Sequence, residues 1–261
     1  MKTFIKKIIL FSIGLLALSA SQHALAETCN AEQLMEFIRE HNLEARCIEV
    51  SNLTLTNINY KDLSTEHEQF IRSIIANLPG IPFDINTLEI KASNKPQDAA
   101  SWQYIDPAPA QHLMAKRFIF INETYLATVI NHIHEPKYYE QLRFIIAHEV
   151  GHLVLNHALL GIKRYLQLKF LISDEKNREL FRLNNAFRKR RHEIAADRWA
   201  IDALGSKEGA ITFFNDQLTT HNFIDIDLVT APNSSHPSHQ YRLDCIRYDH
   251  IELPWYNWET S

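Results

Sequence analysis

Apolar and polar positions alternate along the chain in short, regular segments. Leu34, Phe37, Ile38 and His41 recur at helical spacing behind Asn30, a suitable N-cap, so a helix is expected over 31–44. Ile48, Val50, Leu53, Leu55 and Ile58 alternate, which predicts a strand over 48–60. Thr65 and Glu68 form a capping-box pair ahead of Phe70, Ile71, Ile74 and Ile75, and Leu78-Pro79-Gly80-Ile81-Pro82 stops the helix they open. Residues 88–92 read as a second strand and 117–121 as a third, strongly β-prone one. Between them, 93–112 contains three Pro and little periodicity and reads as a long loop. Residues 122–134 and 138–157 read as helices parted at Glu135-Pro136. Residues 159–204 read as mostly helical and highly charged, and the tail after Asn215 as loop-rich. The pattern is that of an α+β fold, with no internal repeat.

The N-terminus departs from this pattern. Lys2, Lys6 and Lys7 precede an apolar run over 8–18 that is short for a membrane span, and Ala24 and Ala26 form an A-x-A cleavage pattern. A secretory signal peptide over 1–26 is expected, with an uncleaved anchor as the alternative. No Cys stands where lipidation would need one. Cleavage would remove three Lys and no acid, taking the formal charge from −4 to −7. A dominant electrostatic grip on nucleic acid is therefore excluded. A chain that is 46% hydrophobic with 6 Gly and 9 Pro is neither collagen-like nor disordered. No later run approaches a membrane span. The expected compartment is periplasmic or extracellular, and oxidising. Cys29, Cys47 and Cys245 all follow the cleavage point, so an odd thiol remains. Cys29–Cys47 is the simplest bridge, and either could instead pair with Cys245.

Candidate chemistry begins at His148-Glu149-Val150-Gly151-His152. On a helix, positions i and i+4 share a face, so two imidazoles there can ligate one Zn²⁺ while the neighbouring Glu reaches a water beside it. Ile145-Ile146-Ala147 and Leu153-Val154-Leu155 flank the motif, so the helix is buried, and buried His and Glu need compensation that a metal supplies. HExxH alone arises by chance in roughly one such chain in twenty. The plainer reading is a pair of structural histidines.

Catalytic zinc needs a third protein ligand. A third His at the HExxHxxGxxH spacing is absent, because position 155 is Leu and 158 is Ala; His157 falls one place short and on another helical face. Glu193 fits better. It lies with Asp197 on one face of a small-residue stretch, His192-Glu193-Ile194-Ala195-Ala196-Asp197. Glu193 would bind metal while Asp197 hydrogen-bonds a ligand His and sets its tautomer. The competing reading is a pair of solvated acids beside Arg190, Arg191 and Arg198. His192 opens a second His-Glu pair, but position 196 is Ala, so it completes no motif. His132 and His134 read as a surface turn before a second metal site.

Near the C-terminus stands His236-Pro237-Ser238-His239-Gln240-Tyr241-Arg242-Leu243. HExxH, then E-x-x-x-D about forty residues on, then His-Pro-x4-Arg resembles the zinc metallopeptidase family that contains the CAAX prenyl proteases, the HtpX-type heat-shock proteases and the Oma-type proteases. Joint accidental occurrence is of order one in a thousand or rarer. Residues 116–126 also look like the family's strand and helix ahead of the active-site helix. The resemblance covers about 112–245; 27–111 match only in helix–strand pattern, and divide as an N-terminal region packing on a core over 112–261.

The resemblance implies a mini-gluzincin fold, mostly helical, with a small sheet whose edge strand lies beside the active-site helix. It implies one Zn²⁺ per chain, held by His148, His152 and Glu193, with Asp197 behind a ligand. Glu149 would serve as general base toward a zinc-activated water. His236, favoured over His239 by its Pro, and Arg242 would stabilise oxyanion charge. Arg117, Phe118, Ile119, Phe120 and Ile121 would form the edge onto which an extended peptide adds. Where integral-membrane relatives carry spans, 163–192 is strongly charged, with 188–191 all basic. That stretch reads as a solvated helix or flap over the cleft, or as a patch for an anionic membrane surface. The expected protein is an exported metalloendopeptidase (EC 3.4.24.-) acting on misfolded or envelope polypeptides. The alternative is an exported chaperone-like protein that keeps the zinc site and holds clients. A third reading has His236 on the fourth zinc position at rest. Oligomeric state is not legible.

Overall fold

The computed structural model describes residues 29–47, 49, 60–94, 99–105, 115–220 and 236–248. The signal-peptide reading of 1–26 lies outside them, as does nearly all of the strand expected over 48–60. The elements in order are α1 (Ala31–Glu40), β1 (Tyr60–Asp62), α2 (Thr65–Ala76), β2 (Leu88–Ser93), β3 (Ala99–Ile105), β4 (Ala115–Asn122), α3 (Glu123–Asn131), α4 (Pro136–Val154), α5 (His157–Leu166), α6 (Glu175–Leu204), α7 (Glu208–Thr220) and α8 (His239–Tyr248). The fold is α+β, mostly helical with one small mixed sheet.

Local chemistry explains most helix starts. Asn30 caps α1 through a capping box: its side chain accepts from the Gln33 N–H at 2.8 Å, and Gln33 Oε1 accepts from the Asn30 N–H at 3.0 Å. The helix stops at Glu40, short of 44, because Asn42 turns into the left-handed region at φ 54°. The cap of α2 is Ser64, whose hydroxyl accepts from His67, one residue before the expected Thr65. Asn122 caps α3, and Pro136 opens α4 at its first turn, where no amide donor is needed.

Strand order in the sheet is β1-β2-β4-β3, with β2 and β4 parallel and the outer pairs antiparallel. This corrects two expectations. Arg117–Ile121 is not an edge: β4 pairs with β2 on one side and β3 on the other. Phe118, Ile119, Phe120 and Ile121 are all at most 4% exposed, and so apolar a run is buried most fully in an interior strand. The edge beside β4 is β3, which falls within the region expected to be loop. Ala99-Ala100-Ser101 carries little strand propensity of its own, and pairing with β4 imposes the conformation.

The main apolar cluster runs from Leu63 on the N-terminal side to Leu243 and Ile246 on α8, and the sheet likewise draws strands from both sides of residue 112. At its centre lies α4, buried from Gln141 to Gly151 apart from the half-buried Arg143, and packed against α6, α7 and β3. A smaller cluster joins α1 to α5 through Leu34, Phe37 and Ile38 with Leu159, Ile162 and Leu166. Cys29 and Cys47 are buried together in that second cluster, whereas Cys245 is buried on α8. The end of α7 and the whole of α8 fall in the tail after Asn215 expected to be loop-rich. Among the described residues, no single helix is long and apolar enough to cross a membrane.

Two glycines let helices close on α4. A Cβ on Gly151 would stand 3.2 Å from the Ala196 carbonyl oxygen and 3.1 Å from the Trp199 ring, so its absence brings α6 against the HExxH turn. At Gly209, a Cβ would lie against the Glu140 backbone carbonyl, which cannot yield as a side-chain tip does. Gly209→Ala is expected to cost about 3 kcal/mol, the upper end for overpacking. Gly161, on α5 with open space around its Cα, supplies the control: Gly161→Ala should gain about 0.5–1 kcal/mol from reduced backbone entropy. Urea unfolding of both variants reads the difference, and equal midpoints would contradict the packing described.

Candidate metal centre

α4 projects His148 and His152 from one face, their Nε2 atoms 3.0 Å apart and their rings edge-on at 4.6 Å. The close α4–α6 approach at Gly151 delivers Glu193 to the same point. Its Oε2 lies 3.5 Å from His148 Nε2 and its Oε1 3.6 Å from His152 Nε2. One donor atom from each residue falls within 4.8 Å of the others. Both Glu193 contacts are too long for good hydrogen bonds. They suit a shared ion: ligand atoms about 2.0–2.1 Å from one zinc stand roughly 3.3–3.4 Å apart at tetrahedral corners. Two imidazoles and one carboxylate are also a donor set that zinc accepts. The residues present fit the metal.

The second nitrogens of the rings have partners too. His148 Nδ1 lies 2.9 Å from Asp197 Oδ1, as expected for a carboxylate fixing a ligand tautomer. Asp197, 1% exposed, is itself gripped by Arg242 from α8, whose Nε and Nη2 donate at 2.8 and 2.6 Å. Arg242 Nη1 also reaches Glu193 Oε2 at 3.3 Å, and the guanidinium lies over the Phe214 ring at 4.7 Å. The structure therefore places Arg242 behind the ligands, engaged with two acids, and not at an open oxyanion position. His236 sits at the rim, its side chain 60% exposed and its Nε2 3.7 Å from Glu193 Oε1.

Glu149 is buried one residue after His148. Burial pushes its carboxyl upward, against the charge of His148 and hydrogen bonds from the Ser101 side chain and backbone. Ser101 lies on β3, so the general-base candidate is tied directly to the sheet edge. Sequence reasoning missed Ser101, because the strand carrying it has no strong pattern.

Two further histidines set aside on spacing also arrive here. His157 Nδ1 stands 2.8 Å from His152 Nδ1, and the His157 ring stacks on His192 at 4.0 Å and 3°. Burial above all holds His157 down at about 2 and His192 at about 4, so both are neutral. His132 and His134 remain apart, in the exposed turn before α4, where His132 meets Glu135 at 3.1 Å. His239, at the start of α8, packs with its ring centroid 5.8 Å from that of Phe214 on α7.

The charges of the site are unequal. Burial opposes a charged His148, yet the close carboxylates of Asp197 and Glu193 outweigh it and lift the ring to about 9. Burial, and then the neighbouring His148 charge, push His152 down to about 3. Glu193 is held well below the usual carboxylate range: burial opposes ionisation, but His148, His152 and Arg242 prevail. In metal-free protein His148 therefore holds a second ring proton, as imidazolium, below about pH 9. Metal binding at its Nε2 must release that proton, so affinity falls as pH falls. The expected loss is about tenfold in zinc affinity per pH unit between about pH 8 and pH 6. Chelator competition at several pH values measures it, and a flat profile would contradict a charged His148.

Against known proteins, the family described as peptidase family M48 matches residues 112–250. No curated protein matches the chain.

Proposed function

The chain belongs to peptidase family M48, a family of zinc metallopeptidases, and from that premise we propose that it is an exported zinc-dependent endopeptidase that cuts extended segments of misfolded or envelope polypeptides. The observation that carries this reading is the convergence of His148, His152 and Glu193 on one point, with Glu149 alongside and the β3 edge tied to it through Ser101. Zinc bound by those three residues supplies Lewis acidity toward a water and toward the scissile carbonyl. Glu149 accepts the proton of the attacking water on its carboxylate and later delivers it to the leaving amine. Its buried, upward-shifted carboxyl suits that exchange better than a solvated one. The backbone of β3 offers its outer edge to an extended substrate strand, which fixes the peptide by main-chain bonds with little side-chain demand. His236 at the rim is the candidate to meet oxyanion charge, or to cover the site at rest.

Metal analysis combined with cleavage of an unfolded polypeptide tests the proposal. The expected result is one zinc per chain and cleavage that stops on chelation and returns with zinc. Stoichiometric zinc without cleavage would favour a client-holding protein, and absence of zinc would overturn the scheme. His236→Ala separates the two rim roles: activity falls if His236 serves the oxyanion, and rises if it covers the site.

A further inference from the structure

We propose that His157, held flat by His192, is the positioning residue for ligand His152, accepting the Nδ1–H of that ring as Asp197 does for His148. The inference rests on the metal site proposed above. Both ligand rings use Nε2 toward the shared point, so each needs an outer partner for Nδ1. His148 has Asp197. At His152 the atom 2.8 Å from Nδ1 is the Nδ1 of His157. Two nitrogens so close share one proton. Metal ligation requires a bare His152 Nε2, which places the proton of that neutral ring on Nδ1. His157 Nδ1 is then the acceptor, and His157 carries its own proton on Nε2.

A break in the helix creates the contact. On a continuous helix, residue i+5 lies about 140° around the axis from residue i, out of reach. Here α4 ends at Val154, Asn156 turns left-handed at φ 54°, and α5 restarts at His157. The turn swings the His157 ring back onto His152, with centroids 4.9 Å apart. His192 then lies parallel to it at 4.0 Å from α6, immediately before ligand Glu193. Stacking on that face fixes the plane of His157 and leaves its in-plane Nδ1 aimed at His152. One ligand ring is thus oriented by an anion and the other by a neutral ring, and α5 and α6 are joined at the metal site.

The test is zinc affinity by competition with a chromophoric chelator, alongside thermal melting of the metal-free variants. Asn places its Oδ1 where the His Nδ1 stood, Gln places its amide nearer Nε2, and Leu offers no acceptor. His157→Leu and His157→Gln should each weaken zinc binding by about 10–100-fold, while His157→Asn stays near wild type. His192→Phe, which keeps a stacking face, should also stay near wild type. Equal affinity for the Leu variant and wild type would overturn the proposal, and so would an Asn variant as weak as Leu. If the Leu variant does not fold, the Asn–Gln contrast carries the same test, and equal affinities there overturn it. Wild type that binds no zinc marks failure of the metal site itself, a result distinct from wild type and variants binding alike.

Discussion

Glu149→Gln should bind zinc as wild type does and cleave polypeptide about 10²–10⁴-fold more slowly. Gln keeps the size and the hydrogen-bonding shape of Glu149, so the buried site and its link to Ser101 survive. What it loses is the capacity to take a proton. The variant therefore separates the candidate metal site of His148, His152 and Glu193 from the candidate base. Chelator competition should show unchanged affinity and single-turnover cleavage should show the loss. Wild-type cleavage by the variant would place the base elsewhere. The pH profile follows from the same carboxyl. Glu149 must be ionised to accept a proton, and burial raises its pKa. Wild-type kcat/KM should therefore fall on the acid side beginning above the usual carboxylate range, and Ser101→Ala, which removes a bond to the ionised form, should move that limb to still higher pH.

Arg242→Ala carries the largest expected cost to the fold. Arg242 is 7% exposed, and it bonds Asp197 through two nitrogens while reaching Glu193 with a third. Its removal leaves two acids buried without their cation, at a cost of about 3–5 kcal/mol. Asp197 would respond by taking up a proton. Burial already opposes its ionisation, and Arg242 is the first influence holding its pKa down. A protonated Asp197 orients and charges His148 less well, so zinc affinity should fall by about 10–100-fold as well. Arg242→Lys should recover only part of both losses, since an ammonium cannot match the two-point grip on Asp197. Urea unfolding and zinc competition measure the pair of effects. A loss below about 1 kcal/mol with unchanged zinc binding would contradict the grip of Arg242 on Asp197 and Glu193 described above.

The parts of the site legible in the sequence are those built within one helical turn. His148 and His152 face one way because α-helix geometry places i and i+4 together wherever the helix sits. Glu193 and Asp197 share a face for the same reason, and the small residues beside them permit the close crossing found at Gly151. Caps behave likewise: Asn30 and Asn122 start their helices through bonds to residues three positions on. The weaker readings failed where local signals were weak. Ala99–Ile105 is a strand by virtue of its neighbour, and α8 carries no strong apolar pattern to announce it.

Arg117–Ile121 shows the limit most clearly. Its composition states correctly that it is a strand, but an apolar run says nothing of how many neighbours will flank it. Placement between β2 and β3 follows from which surfaces can be buried together, and that is a property of the whole chain. His157 makes the same point within the site: counted along an ideal helix it faces away, and only the left-handed Asn156 turns it onto His152. Arg242 is separated by 45 residues from the Asp197 it holds, and no short-range rule links them. Bonds within a helical turn are set by backbone geometry, so the chemistry of HExxH could be read directly from residue spacing. Strand order, the partners behind each candidate ligand and the strand left at the edge of the described sheet depend on packing between distant segments, where one arrangement satisfies the buried charges and apolar faces at once.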